Sequence, residues 1–132
     1  MRLIAAVALC DDLQHPTRVL AGRRSSPAHL AGRWEFPGGK VERGEDDGSA
    51  LVRELREELQ VEVEVGERLG DDLPIGATAV LRVYVCRLLE GEPALVDHDE
   101  HRWLGAHELL DVPWIPVDLP LVEQLRGRLR GD

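Results

Sequence analysis

One segment of the chain, Asp46–Leu59, has the apolar spacing of an α-helix. Its apolar side chains recur every three or four residues, which places them on one face; they are Leu51, Val52, Leu55 and Leu59. Either Ser49 or Asp47 is suited to cap the N-terminus of this helix. A helix with one apolar face is stable when that face packs on another layer, so the rest of the chain must supply that layer.

Segments on both sides of this helix have the apolar or alternating patterns of β-strands. The predicted strands are Leu3–Cys10, Thr17–Arg23, Trp34–Phe36, Val61–Val65, Ala77–Leu88 and Arg102–Leu104. One helical turn is predicted at Ala106–Leu110, and a second helix at Leu119–Leu129 has Asp118 as a candidate N-cap. This order predicts one domain over residues 1–132, with an α/β or α+β fold in which helices pack on a mixed sheet.

The charge balance excludes several classes of partner. The 132 residues include 25 Asp or Glu and 16 Lys or Arg, which gives a formal net charge of −9. Binding to a nucleic-acid polymer or to an anionic membrane depends on clustered basic residues, so we expect neither partner. A phosphate-bearing small molecule would need to arrive with a metal cation. The two cysteines, Cys10 and Cys86, are too few for a disulfide framework.

The first residues, Met1–Cys10, have the basic start and the apolar run of a short signal peptide. Asp11 and Asp12 follow directly, however, and no convincing small-residue cleavage site is present. A buried first strand that leads into a hairpin explains this segment better, and no apolar run has the length of a membrane span. We therefore expect a cytoplasmic protein.

The predicted first helix also carries three acids, Glu54, Glu57 and Glu58, on one face. Carboxylates at this spacing repel one another, and a hard divalent cation such as Mg²⁺, which takes oxygen ligands and is often shared with phosphates, would relieve the repulsion. The alternative is a solvated acidic face balanced by Arg53 and Arg56. The helix alone favours this alternative.

The residues before the helix change that balance. From Gly39 to Val61 the chain has the pattern G-x5-E-x7-R-E-L-x-E-E-x-Q-V, which resembles the Nudix signature G-x5-E-x7-R-E-U-x-E-E-x-G-U, with U a bulky aliphatic residue. Gln60 stands where the family has Gly, which predicts either a strained left-handed residue or a different helix end. Three further segments resemble the MutT-like branch of small nucleoside triphosphate pyrophosphohydrolases: Trp34–Glu42, Glu100–Leu104 and Pro116–Pro120.

This resemblance implies the Nudix fold, a mixed sheet between helices, and a metal-dependent hydrolase. It implies that Glu54, Glu57 and Glu58, helped by the backbone carbonyl of Gly38, hold Mg²⁺, with Mn²⁺ as an alternative, and that one of these acids activates water. Glu54 is the usual candidate for that step.

Other residues of the resemblance have supporting roles. It implies that Arg53 orients Glu45 or a ligand acid, and that Gly38 and Gly39 form a tight turn near the metal. Glu100 resembles an extra acid that a loop brings to the metals, as ligand or base, and the alternative is an exposed loop acid. A transition-metal site at the flanking His98 and His101 is disfavoured, because no third His or Cys has suitable spacing.

The residues that would bind substrate are less determined by the sequence. Arg23 or Arg24 contacts phosphate in the implied arrangement, Lys40 is either near phosphate or exposed, and one of Trp34 and Phe36 lines the base pocket. Asp118 is either a helix cap or a reader of the base. As a carboxylate it accepts hydrogen bonds, which suits the amino group of cytosine.

The predicted function is therefore Mg²⁺-dependent hydrolysis of a nucleoside triphosphate to the monophosphate and pyrophosphate. CTP, dCTP or a 5-substituted dCTP is the favoured substrate, with a role in nucleotide-pool clean-up (sanitation). The alternatives are 8-oxo-dGTP and another nucleoside diphosphate-linked compound. A binding module is disfavoured because all the acids of the signature are present. The sequence leaves a monomer and a homodimer equally open.

Overall fold

The central strand of the sheet is β1, Arg2–Cys10, which is buried from Ala5 onward. The computed structural model describes residues 2–130, so Met1, Gly131 and Asp132 of the predicted 1–132 domain lie outside it. The other strands are β2 (Arg18–Arg24), β3 (Trp34–Glu35), β4 (Gly38–Lys40), β5 (Glu62–Arg68), β6 (Leu73–Ile75), β7 (Ala79–Glu90) and β8 (His98–Gly105). The helices are α1 (Asp47–Leu59) and α2 (Leu119–Arg128), and a 3₁₀ turn at Pro116–Asp118 precedes α2.

Parallel and antiparallel pairs occur in the same eight-stranded sheet, so the predicted mixed sheet is confirmed. Its main order is β3–β2–β1–β7–β5, with β1 parallel to β7 and antiparallel to β2. Two strands share one edge of β1, because β4 pairs with residues 4–6 and β2 pairs at Cys10. Strand β8 extends the sheet beside β2, and β6 pairs with β7.

Successive residues of β1 face opposite sides of the sheet, and one helix covers each side. The cluster on the α1 side contains Ala5, Val7 and Leu9 of β1 with Leu51, Leu55 and Leu59 of the helix. The cluster on the α2 side contains Ala6, Ala8 and Cys10 of β1 with Leu121, Val122 and Leu125. The sheet therefore lies between helices, as predicted.

The ends of α1 differ in one detail from the expectation. Asp46 is the N-cap, and its side chain accepts a hydrogen bond from the backbone N–H of Ser49, so neither Ser49 nor Asp47 caps the helix. Gln60 ends the helix in the left-handed conformation, with φ 59° and ψ 40°, and its N–H donates to Arg56 O. The left-handed alternative for Gln60 is thus confirmed.

Some predicted elements are wrong at the local level. Gly38 and Gly39 form part of β4 instead of a tight turn, because their backbone pairs with Ala6 and Ala5 of β1. Glu100 lies within β8 instead of a loop before it, since β8 begins at His98 and pairs with β2. Residues 106–110 form turns and no helix, and β6 has no counterpart among the predicted strands.

Across residues 2–130, no helix combines the length and the apolar character needed to cross a membrane.

Candidate active site

Two glycines of β4 lie against the carboxylates of α1. A Cβ atom on Gly39 would lie 2.5 Å from Oε2 of Glu54, and one on Gly38 would lie 2.5 Å from Cα of Ala6 in β1. The backbone N–H of Gly38 donates to Oε2 of Glu58 at 3.2 Å. The absence of side chains at these two positions therefore lets α1 place its acids directly on the strand.

Arg53 fixes the orientation of the acids on this helix. Its Nε and Nη2 donate to the two carboxylate oxygens of Glu45 at 2.7 and 2.8 Å, which is a bidentate pair. Nη1 donates to Glu54 at 3.0 Å and to Glu57 at 3.3 Å, and Nη2 also reaches the carbonyl of Lys40 at 3.2 Å. The hydrogen bonds from Arg53 lower the pKa of Glu45 to about 2. One guanidinium thus connects three acids of the signature.

Glu58 differs from its neighbours because it is buried. Its side chain is 5% exposed, whereas that of Glu57 is 62% exposed. Burial raises the pKa of Glu58 to about 8, and the negative charges of Glu35 and Asp97 add to this shift, although the Gly38 N–H opposes it. Burial therefore favours the neutral form of Glu58 unless a positive charge lies beside it. Carboxylate oxygens and backbone carbonyls are the donors that a hard divalent cation takes, so the chemistry of Glu54, Glu57 and Glu58 suits such an ion. Within residues 2–130, however, the group of acids and histidines whose ligand atoms lie within 4.8 Å of one another is Glu35, Glu58 and His98. The ligand set of Glu54, Glu57, Glu58 and the Gly38 carbonyl therefore stays a prediction.

His98 and Glu35 lie beside Glu58, although neither belongs to the signature. Nε2 of His98 lies 3.0 Å from Oε2 of Glu35 and 3.6 Å from Oε1 of Glu58. Nδ1 of His98 lies 3.3 Å from Nε2 of His101. Burial and the neighbouring His98 lower the pKa of His101 to about 4, so His101 is neutral near pH 7.

Sequence reasoning missed Glu35 and gave His98 little weight. Glu35 lies between Trp34 and Phe36, which are both buried, so strand alternation directs its side chain to the opposite face. That signal was available in the sequence. The approach of His98 depends on the pairing of β8 with β2 and has no local signal.

Arg24, and not Arg23, lies at this site. Nη1 of Arg24 donates to Oε1 of Glu35 at 3.0 Å. Arg23 instead pairs with Asp99 at 2.6 Å and with Glu100 at 3.1 Å. The structure thus separates the two arginines that the sequence could not distinguish.

Two adjoining cavities open at these residues. The larger, of about 540 Å³, has mostly apolar walls that include Leu30, Phe36, Ile75, Leu81 and Ile115. The smaller, of about 310 Å³, is polar and is lined by Ser25, Ser26, Glu58 and Asp97 among others. Arg24, Glu35 and Gly38 line both cavities, so they form the boundary between them. Lys40 and Gly39 lie at the larger cavity.

Asp118 supplies a buried carboxyl group to the larger cavity. It stands at the N-cap position of α2 but makes no capping hydrogen bond, and its Oδ2 accepts from the backbone N–H of Phe36 at 3.3 Å. Burial raises the pKa of Asp118 to about 7, against the lowering effect of the Phe36 N–H. Phe36 itself packs on Trp114, with ring centroids 4.9 Å apart. The alternative of Asp118 as a side-chain cap is therefore wrong.

Glu100 lies apart from the other predicted site residues. Its side chain is 45% exposed and pairs with Arg23. The described hydrogen bonds and ion pairs within residues 2–130 do not join it to Glu54, Glu57 or Glu58.

Known proteins are similar to this chain in sequence and in fold. A NUDIX domain model matches residues 1–125. A Mycobacterium tuberculosis (strain H37Rv) protein named "Putative 8-oxo-dGTP diphosphatase 2" is 48% identical over 116 residues, which are 86% of this chain and 82% of that protein. The Escherichia coli K12 protein named CTP pyrophosphohydrolase is 34% identical over 125 residues, 93% of this chain and 91% of that protein. The crystal structure of a MutT NUDIX hydrolase from Burkholderia pseudomallei superposes with a TM-score of 0.78 at 29% identity, covering 94% of this chain and 97% of that one.

Proposed function

The chain belongs to the NUDIX family, and from this premise we propose that it is a Mg²⁺-dependent nucleoside triphosphate pyrophosphohydrolase. Water attacks the α- or the β-phosphorus, the bond from that phosphorus to the oxygen that bridges the two breaks, and a nucleoside monophosphate and pyrophosphate leave. A role in clearing the cytoplasmic nucleotide pool of unwanted triphosphates follows from this reaction.

One observation carries the proposal: an apolar cavity and a polar cavity adjoin at Arg24, Glu35 and Gly38. A nucleotide has the same division, because its base is flat and largely apolar on its faces whereas its phosphates are charged. The acid-rich helix borders the polar cavity through Glu58, and Asp118 borders the apolar one. The base thus binds in the larger cavity, and the triphosphate extends toward α1.

The residues of α1 then have separate tasks. Glu54, Glu57 and Glu58, with the carbonyl of Gly38, would hold the divalent cation, which when bound neutralises phosphate charge and favours ionisation of water. Arg53 keeps Glu54 and Glu57 in place through its pair with Glu45. Glu54 accepts the proton of the attacking water at its carboxylate.

Arg24 and Lys40 bind the phosphates in this proposal. Arg24 stands at the boundary of the cavities. Lys40 lines the larger cavity, and its carbonyl accepts from Arg53, so it lies on the side of that cavity next to α1. A role of Glu100 as ligand or base stays a prediction, because its carboxylate pairs with Arg23 instead.

We favour cytosine as the base, in CTP, dCTP or a 5-substituted dCTP. One oxygen of Asp118 accepts from Phe36 N–H, which leaves the other oxygen to accept from the exocyclic amino group of cytosine. The second candidate substrate is 8-oxo-dGTP. Its support is the 48% identical relative and the pKa of Asp118 near 7, since a protonated Asp118 would donate a hydrogen bond to an altered guanine edge.

The test is pyrophosphate release with Mg²⁺ from CTP, dCTP, 5-methyl-dCTP, dGTP and 8-oxo-dGTP, compared by kcat/KM. Glu57→Gln should lose most of this activity, and Asp118→Asn should change the order of the substrates without abolishing turnover. Full turnover in Glu57→Gln would contradict the ligand assignment. A preference of the wild-type enzyme for 8-oxo-dGTP would contradict the choice of cytosine, and no release from any triphosphate would redirect the search to diphosphate-linked nucleotides.

A further inference from the structure

A group of three side chains with different chemistry lies behind the polar cavity: Glu35, Glu58 and His98. One ligand atom from each, two carboxylate oxygens and an imidazole nitrogen, lie within 4.8 Å of one another. Only Glu58 belongs to the acids assigned above to Mg²⁺. We propose that these three residues form a mixed nitrogen–oxygen site for a later first-row divalent transition-metal ion, of which Co²⁺ and Zn²⁺ are the probes.

The separations of the donor atoms fit one ion. Ligands at about 2.1 Å from a common cation, at tetrahedral or octahedral angles, are roughly 3.0–3.4 Å apart. Nε2 of His98 is 3.0 Å from Oε2 of Glu35 and 3.6 Å from Oε1 of Glu58. The two separations from Nε2 of His98 thus lie within a few tenths of an ångström of this range, and the carboxylate oxygens of Glu35 and Glu58 lie within 4.8 Å of each other.

The imidazole of His98 is held before any ion binds. Its side chain is 1% exposed. A Cβ atom on Gly22 of β2 would lie 2.5 Å from Cε1 of the ring, so the ring occupies the space that only a glycine leaves free. Nδ1 is engaged with His101, which leaves Nε2 facing the two carboxyl groups. Metal-binding histidines are commonly fixed in this way through their second nitrogen.

The polar cavity beside these residues carries an excess of carboxyl groups, which favours a cation, and it gives an ion access to the site. Glu35, Glu58 and Asp97 line the polar cavity of about 310 Å³, and Arg24 is the basic residue among its lining groups. Three carboxyl groups thus face one guanidinium. The competing occupant is a proton on Nε2, which would donate a hydrogen bond to the carboxyl group of Glu35 or Glu58.

The nitrogen donor distinguishes this site from the Mg²⁺ ligands of the proposed function. Imidazole suits later first-row ions, whereas Mg²⁺ takes oxygen ligands. The inference rests on the proposed function only in sharing Glu58, and binding at the site is measurable without nucleotide or turnover.

The first experiment titrates the nucleotide-free protein with Co²⁺, followed by visible absorption, and with Mg²⁺, followed by calorimetry. His98→Gln should weaken Co²⁺ binding at least about tenfold and leave Mg²⁺ binding unchanged. The matched control is His29→Gln, because His29 is an exposed histidine in the loop after β2, and it should bind Co²⁺ like the wild type. Equal Co²⁺ affinity in wild type and His98→Gln would overturn the proposal.

A second measurement needs no variant and covers the case in which His98→Gln does not fold. Histidine side-chain ¹⁵N spectra of the wild type are recorded with and without one equivalent of Zn²⁺. The Nε2 resonance of His98 should move to the position of a metal-bound nitrogen. A resonance that stays where it was, at the position of a protonated nitrogen, would identify a proton as the occupant of Nε2 and overturn the site.

Glu57→Gln separates this inference from the proposed function. It should lose Mg²⁺-dependent pyrophosphate release and keep Co²⁺ binding, because Glu57 is outside the group of three. Loss of Co²⁺ binding in this variant would show that the ion occupies the acids of the signature instead, and would contradict the separate site.

Discussion

Arg53 forms a bidentate pair with Glu45, in which Nε donates at 2.7 Å and Nη2 donates at 2.8 Å. The remaining Nη1 reaches Glu54 and Glu57, so the pair with Glu45 determines where the guanidinium presents its third donor group. Glu45 lies before α1 and Arg53 in its second turn, which ties the entry loop to the acids of the helix. The orientation of Glu54 and Glu57 thus depends on Glu45, which lines neither cavity.

The first prediction concerns the bidentate pair between Arg53 and Glu45. Arg53→Lys keeps the charge but loses the planar fork, so kcat for the preferred triphosphate should fall roughly 10- to 100-fold with a smaller change in KM. Arg56→Lys is the matched control, because Arg56, an exposed residue of the same helix, makes a bidentate pair with Glu62 of β5. Steady-state kinetics of both variants measure kcat and KM. An equal loss of kcat in the two variants would refute a special role of Arg53.

The second prediction concerns the strand beneath the helix. Gly39→Ala places a methyl group on the Glu54 carboxylate, so the acid must move and Mg²⁺-dependent turnover should drop at least about tenfold. In α2, Gly127→Ala meets no atom within 4 Å and should keep full activity, with about 0.5–1 kcal/mol of added stability. Turnover assays and urea denaturation of both proteins test this contrast. Unchanged turnover in Gly39→Ala would show that the position of Glu54 is not critical.

The third prediction concerns the end of α1. Gln60 has a left-handed backbone, which costs a residue with a side chain about 1–2 kcal/mol. Gln60→Gly removes this strain but also increases the conformational entropy of the unfolded chain, which offsets part of the gain. The free energy of unfolding should therefore rise by roughly 0.5–1 kcal/mol. Gln60→Ala keeps the strain and should bring no comparable gain. Urea denaturation measures all three proteins, and a less stable glycine variant would mean that the side chain of Gln60 stabilises the fold.

The fourth prediction concerns pH and base choice. The buried carboxyl of Asp118 has a pKa raised to about 7 from 3.8, so its ionised fraction increases as pH rises from 6 to 8. The ionised form accepts from the cytosine amino group, so the ratio of kcat/KM for dCTP to that for 8-oxo-dGTP should increase over this range. Asp118→Asn does not titrate, so its ratio should stay nearly constant. A ratio that changes equally in both proteins would trace the pH effect to another group.

Much of the architecture was predictable because local patterns reflect it. The apolar spacing of α1 and the unbroken apolar run of β1 correspond to the two faces of one buried sheet. The weaker segments were not predictable in the same way. β6 has three residues and includes Pro74, and the N-terminal part of β8 is polar, so both owe their conformation to a neighbouring strand.

The sequence by itself determined the acids on α1, their partner Arg53, and the two glycines before the helix. These residues follow one another at set spacings, and a helix converts such spacing directly into a shared face. Only the tertiary structure decided that Arg24 and not Arg23 reaches the site, that Asp118 bonds to Phe36 and does not cap α2, and that His98 meets Glu35 and Glu58. Those contacts join residues far apart in the chain. Their geometry depends on strand register and helix packing, which no local pattern specifies.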